Sequence, residues 1–450
     1  MSRHRDRKIL AVQKVPHRGA ADKHQRSFAL AHHLTVGHAQ GGVAPPPIEA
    51  SFPASIIAAM RHLALAAAVA VTAVTARAAA PQYASELIFP LESWHNHSSS
   101  IVETPKGDLI VCWFHGSGER TADDVLIRAA RWSRSTGRWG QPFTLADTPG
   151  FPETNPVLFV DRRERLLFFW PLIIAHRWET ALMKYRVSTD YQQADGPPTW
   201  ASQDNIVLVP KNIVSKTKAF VAGAVEGNPQ LAAAGQRLVE QAEDEYFSRM
   251  GWFTRTHPLE LPSGRLLVPM YSDGYSFGIM AMSDDGGTTW KGSEPIVGLG
   301  GVQPSVVRKN DGTLVAYLRD NGPAPKRALM SESSDDGESW SVARDSDILN
   351  PGTSLEVVRL RNGHWIMVYN DLERNRYSLV AAISEDEGQT WPVRRHLEGR
   401  PDLEVADQYH YPSVIQSRDG DIHVTYSYFT AGGKSIKHAR FNEEWVRSQP

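Results

Sequence analysis

The sequence predicts an all-β fold, a six-bladed β-propeller with a helical insertion, and three observations carry that expectation. A signature of the form S-x-D-x-G-x-[ST]-W occurs as SDDGGTTW (Ser283 to Trp290), SSDDGESW (Ser333 to Trp340) and SEDEGQTW (Ser384 to Trp391). The copies start about fifty residues apart, and a period of that size marks an array of equivalent supersecondary units. A turn followed by an alternating apolar strand recurs as KGDLIVCWF (from Lys106), RRERLLFFW (Arg162), SGRLLVPMY (Ser263), DGTLVAYLR (Asp311), NGHWIMVYN (Asn362) and DGDIHVTYSY (Asp419). The third observation is one double-length gap in that series, between Arg163 and Gly264.

Taken in chain order, residues 1–59 are rich in Arg, Lys and His, carry a Pro run at Pro45 to Pro47, and show no sustained periodicity. Disorder is expected there, or an upstream extension of the gene model. A different text begins at Met60, MRHLALAAAVAVTAVTARAAAPQ. A short basic start, an apolar core from Leu63 to Ala76 and small residues at Ala78 to Ala80 have the form of a secretory signal peptide over 60–80. The core is too short for a comfortable membrane span. A mature chain from near Pro81 would be periplasmic or secreted.

The propeller is expected over 84–446, with strands at Gly278 to Met282, Arg327 to Met330 and Leu379 to Ile383 leading into the three signatures. Within each signature the Asp can accept backbone N–H groups, the Gly permits φ > 0, and the Trp packs over the hairpin. Decayed copies stand at SRSTGRW from Ser133 and between Ser188 and Trp200. The long gap holds AFVAGAV and LAAAGQRLVEQAEDEYFSRM, whose Ala, Glu, Gln and Leu favour helix, so a helical insertion is expected at about 211–250. Read instead as a divergent blade, it would make the count seven.

Net charge is −2, which argues against a general nucleic-acid or membrane-surface binder. The lone cysteine, Cys112, excludes an intrachain disulfide and a cysteine-based zinc site, and its apolar run LIVCWF reads as core. The 13 Trp and 13 Tyr suit sugar stacking and repeat packing alike.

The signature is the Asp box, and across roughly 84–445 the chain resembles the sialidase superfamily. That resemblance implies a carbohydrate substrate, an arginine triad for a carboxylate, a Tyr–Glu nucleophile pair and an Asp acid/base. The second triad arginine matches Arg319 in DGTLVAYLR, the third Arg376 in NDLERNRYSLV, and the nucleophile Tyr411 in YHYPSVI. The acid/base position falls at Asp123 or Asp124. Two positions depart: His97 stands where the first arginine is expected, and Gln303 where the glutamate is. A glutamine cannot serve as base, and an imidazole lacks the bidentate fork of a guanidinium. Arg255, in FTRTHPLELPSG, is a further anion-binding candidate.

Histidines and tyrosines stand in the remaining positions. His95, His97 and His115 surround the first blade, His257 opens another, and Tyr409, His410 and Tyr411 precede the last. A His/Tyr/Arg set suits β-elimination at a uronic acid, where a cation neutralises the carboxylate and a His or Tyr removes the proton alpha to it. Propeller polysaccharide lyases such as ulvan lyases resemble this chain here, with two first-blade histidines spaced like His95 and His115. The same residues also have structural readings, as interblade ion pairs for the arginines and satisfied core groups for the histidines and Tyr411. His95-x-His97 could hold a metal on one strand face, but no third ligand is identifiable, so no metal or cofactor is expected. The expected partner is an oligo- or polysaccharide bearing an acidic sugar, cleaved by a lyase or atypical hydrolase. A conventional exo-α-sialidase and a non-catalytic glycan-binding propeller are the alternatives.

Overall fold

In the computed structural model, which describes residues 79–448, six antiparallel sheets carry the chain in order. The expectations for residues 1–59, and for 60–80 as far as residue 78, lie outside the described residues. Each sheet is one blade, and its innermost strand comes first in sequence. The inner strands are His95–Glu103, Val157–Val160, Phe253–Thr254, Gly301–Arg308, Glu356–Arg359 and Gln408–Gln416, for blades 1 to 6. Blade 6 is completed by the N-terminal strand Tyr83–Leu87, which pairs antiparallel with Gly433–Phe441 and closes the ring.

The double-length gap is an insertion and not a blade. Strand Ser202–Ile206 ends blade 2, and Phe253–Thr254 opens blade 3. Between them lie helices α1 (Ile213–Gly227), α2 (Ala232–Glu243) and α3 (Glu245–Arg249). They dock on blade 3 through Phe220 against Phe277 (ring centroids 5.9 Å apart) and the Tyr275 hydroxyl, which donates to Gln241 O at 2.6 Å. No helix among the described residues is long and apolar enough to cross a membrane.

The Asp boxes close their turns as their residue types require. Asp285 Oδ1 accepts from Thr289 N at 2.9 Å and Oδ2 from Thr289 Oγ1 at 2.6 Å, while Gly287, at φ 90°, donates to Ser283 Oγ at 2.7 Å. Asp335 and Asp386 repeat this arrangement. The tryptophans cover their own turns, as Trp340 shows by donating from Nε1 to Gly337 O at 3.0 Å, and they also reach the neighbouring blade. Trp290 meets Phe169 and Tyr185 of blade 2 edge-on, and Trp391 meets Tyr317 of blade 4. The ring therefore enters the seam with the preceding blade, where apolar surface is buried on both sides. Six apolar clusters fill the six seams, and Cys112 lies in the seam between blades 1 and 2.

The inner strands carry a shared irregularity. Ser98, Asn155, Gln303 and Tyr411, on blades 1, 2, 4 and 6, all have left-handed φ between 42° and 59°. In blades 1, 4 and 6 the pairing register shifts at that point, between His97 and Ser100, Val302 and Ser305, and His410 and Ser413. A bulge of this kind re-aims one side chain out of the pleat. Here it turns those of Gln303 and Tyr411 toward one another across the centre of the ring.

Candidate active site

Tyr411 is the centre of the assembled group. Its hydroxyl oxygen accepts from Arg319 Nη1 at 2.7 Å and from Gln303 Nε2 at 3.3 Å. The guanidinium carbons of Arg255, Arg319 and Arg376 lie 5.0, 6.0 and 5.9 Å from the centre of its ring. His97 stacks on the same ring at 4.2 Å, with His410 4.7 Å beyond it. His97, Gln303, Arg319, Arg376 and Tyr411 thus converge from blades 1, 4, 5 and 6. Tyr411, His97 and Gln303 are buried, and Arg319, Arg376 and His95 keep partial exposure above them.

The imidazoles of His97 and His410 are held well below the ordinary histidine range. Burial is the main cause for both; for His97 the neighbouring His410 comes next, and for His410 the charge of Arg376. Both are therefore neutral near pH 7. His97 Nδ1 shares a 2.7 Å hydrogen bond with Ser427 Oγ, while His410 Nδ1 has no partner among the described residues.

Below this layer the ring is tied by a buried ion pair. Glu356 Oε1 accepts from the His257 backbone N at 2.7 Å and from Nδ1 at 3.0 Å, and Oε2 accepts from Val414 N at 2.7 Å. His257 Nε2 faces the Ile101 carbonyl at 2.7 Å. Both ring nitrogens of His257 thus point at acceptors, which makes it a doubly protonated imidazolium. Although burial opposes its charge, Glu356 raises the His257 pKa above the ordinary value.

Three of the residue roles expected from the sequence need correction. Arg255 is fully buried and donates to the carbonyls of Ser99 (3.3 Å) and Pro412 (3.0 Å), so it braces Tyr411 from beneath and has no face open to a substrate. His95 and His115 do not come together. His115 pairs with Asn96 in the sheet and bonds its Oδ1 at 2.9 Å, so it shares a face with Asn96, while His95 and His97 point the other way. Asp124 is spent on its own loop, accepting from Ser117 N at 3.1 Å and Oγ at 2.9 Å, and Asp123 bonds His176.

The carboxylate that this loop does present is Glu119, 3.2 Å from His95 Nε2. Burial works against its charge, but the His95 bond and the guanidiniums of Arg120 and Arg376 outweigh it and hold the carboxyl below its ordinary range. Tyr271 was also missed. Its hydroxyl accepts from Gln303 Nε2 at 2.9 Å and from Asn155 Nδ2 at 3.0 Å. Burial, reinforced by Asp273, holds this phenol well above its ordinary range and so protonated. Two signals could have found these residues. Tyr271 ends SGRLLVPMY at the place where Arg319 ends DGTLVAYLR, and Asn155-Pro156, Gln303-Pro304 and Tyr411-Pro412 share one offset before an apolar strand.

As for metals, His364, Glu385 and Glu443 gather their ligand atoms within 4.8 Å, but Arg447 already bridges the two carboxylates. That group lies on blade 5 and the C-terminal helix, away from Tyr411.

The fold has parallels among solved structures. The intramolecular trans-sialidase of the leech aligns with a TM-score of 0.61 at 15% identity, over 82% of this chain and 71% of that one. The intramolecular trans-sialidase of Ruminococcus gnavus aligns at 0.59 and 14%, over 80% and 97%. A Dyadobacter fermentans protein of unknown function aligns at 0.58 and 16%, over 80% and 97%. At such identities the likeness is one of fold. No curated protein matches the sequence. The family model for the BNR repeat-like domain matches residues 107–252 and 239–424. With its repeats and its closed ring of six blades, the chain belongs to the BNR repeat-like domain family, on the six-bladed fold of the sialidase superfamily.

Proposed function

We propose that this protein is a glycan-cleaving enzyme that holds the carboxylate of an acidic sugar on Arg319 and Arg376 and breaks the neighbouring bond by β-elimination. One observation carries the reading: the Tyr411 hydroxyl is held by Arg319 and Gln303, with the neutral imidazole of His97 on its ring. A tyrosine nucleophile needs a base for its proton, and the side chain at that place, Gln303, cannot take one. Elimination asks for a different set. Arginines neutralise the carboxylate and make the proton on the adjacent carbon more acidic. The neutral imidazole of His97 takes that proton, the C–H electrons form the ring double bond, and the C–O bond on the next carbon breaks. The departing oxygen collects a proton from the Tyr411 hydroxyl, or from the His95–Glu119 pair.

A second reading has support of its own. Tyr411 with Arg319 on its hydroxyl and Arg376 5.9 Å from the centre of its ring suits a sialic acid carboxylate as well, and the leech enzyme of like fold is complexed with 2,7-anhydro-Neu5Ac. Export would bring the enzyme to either substrate, and the leader-like segment at 60–80 is the sequence feature that favours it. The test is direct. Incubated with uronate polysaccharides such as ulvan and with sialyl-lactose, the protein is expected to generate the ultraviolet absorbance of an unsaturated uronate from the former. Free sialic acid instead would establish the hydrolase, and binding without product a non-catalytic propeller.

A further inference from the structure

Tyr271 and Arg319 occupy equivalent places on neighbouring blades. Tyr271 is the sixth residue of strand Leu266–Ser272 in blade 3, and Arg319 the sixth of Leu314–Asp320 in blade 4. Each is paired with the inner strand of its own blade, Tyr271 with Phe253 and Arg319 with Val302. Equivalent positions on equivalent strands send their side chains to the same face, and Gln303 joins them there. Its Nε2 donates to the Tyr271 hydroxyl oxygen at 2.9 Å and to that of Tyr411 at 3.3 Å, while Arg319 Nη1 donates to Tyr411 at 2.7 Å. The nitrogen that bridges the two phenols keeps their hydroxyls next to each other, with Arg319 on the Tyr411 side.

The hydroxyl protons can be accounted for. A phenol oxygen offers two lone pairs and one proton. At Tyr271 both lone pairs are taken, by Gln303 Nε2 and by Asn155 Nδ2 at 3.0 Å. At Tyr411 they are taken by Arg319 and Gln303. Both N–H groups of the Gln303 carboxamide are thereby used, and its Oε1 alone is left without a partner. Neither phenol proton meets an acceptor among the described residues. Asp273 acts on Tyr271 by its charge but is not within hydrogen-bond reach of it. Burial, reinforced by that charge, keeps Tyr271 protonated, so its proton is present to be given. A hydroxyl that receives two donors and gives to none awaits an acceptor from outside the chain, and an anionic oxygen makes the strongest such bond.

We infer that Tyr271 determines specificity for an acidic sugar: its hydroxyl donates to the substrate carboxylate that Arg319 and Arg376 hold. His97 occupies the place of a third arginine without a guanidinium, and Arg255 is spent beneath the Tyr411 ring, so the phenol supplies a third donor from blade 3. This rests on the acidic-sugar reading above, and the experiment separates the two. Methyl β-glucuronide, N-acetylneuraminic acid and the methyl ester of each are titrated by NMR against the wild type and Tyr271→Phe. The phenylalanine keeps the ring edge-on to Phe253, 4.6 Å away, and ester affinity and the thermal melt report an intact site. A hydrogen bond to a charged acceptor is worth about 10-fold or more in affinity. The wild type should prefer one of the two acids to its ester by at least about 30-fold, and Tyr271→Phe should lower that preference by about 10-fold while ester affinity stays within about twofold. With 3-fluorotyrosine in place of Tyr271, the fluorine resonance should move on adding the acid and stay on adding the ester. A preference that survives Tyr271→Phe, an equal fall for acid and ester, or a fluorine resonance that the acid leaves in place would overturn the proposal. A wild type that binds acid and ester alike would remove the acidic-sugar reading itself. The sugar that shows the preference decides between a uronate and a sialic acid as the source of the carboxylate.

Discussion

Glu356→Gln is a nearly isosteric change at a residue buried to 1% exposure, and its consequences can be worked from the structure. The carboxylate accepts at both oxygens, from His257 N and Nδ1 on one and from Val414 N on the other. A carboxamide offers one acceptor oxygen and one NH₂, so one of these contacts becomes donor against donor. The His257 imidazolium also loses its counter-charge while its other nitrogen remains committed to Ile101 O. Removing one partner of a buried ion pair costs about 3–5 kcal/mol. For a folded unit of this size that corresponds to a fall in Tm of about 4–6 °C. The assay is thermal unfolding from pH 5 to 8. The His257 pKa is raised on folding, so its contribution is complete below its unfolded value and fades as pH climbs through the folded one. The deficit of the variant should therefore be largest near pH 6 and shrink on the alkaline side. A Tm within about 2 °C of wild type at pH 6, where this pair is fully charged, would refute the reasoning.

The other predictions concern the site and the repeats. Tyr411→Phe and His97→Ala should each lower turnover on the cleaved glycan by at least about 100-fold while leaving the fold intact, and normal rates in both would take them out of the mechanism. His97 and His410 are depressed in the fold, so their stabilising contribution is present above the unfolded value and is lost as pH falls below it. Together they should impose a slope of about 2.7 kcal/mol per pH unit in that acid range, and His410→Asn should reduce proton uptake on unfolding at pH 5.5 by about one. Asp285→Ala removes the acceptor of four turn hydrogen bonds at an exposed hairpin and should cost about 1–2 kcal/mol, less than Glu356→Gln; a denaturant midpoint unchanged at constant m would contradict that.

The repeat was legible in the text because an Asp box is local. Ser283, Asp285, Gly287 and Thr289 bond one another within seven consecutive residues, so the turn is dictated by types at fixed offsets. The strands between the boxes were legible by the same logic, since alternation shows wherever one strand supplies apolar groups to a seam. The insertion declared itself by composition, and only helices α1 to α3 decided it against a seventh blade.

The site was legible only in part. Arg319, Arg376, Tyr411, His97 and Gln303 could be named from their motifs, yet their meeting depends on ring closure, which brings blades 1 and 6 side by side from opposite ends of the chain. Arg255 could not be told apart from a substrate ligand by sequence, because its partners are main-chain carbonyls of other blades and every residue has one. The same holds for the choice of Glu119 over Asp123 and Asp124: loop carboxylates are chemically alike until the loop folds and spends some of them on itself. Sequence by itself thus determined the repeating unit, because that unit's bonds are short-range along the chain. Tertiary structure decided which charged groups stay free to act, because freedom depends on what the remaining blades bring within reach.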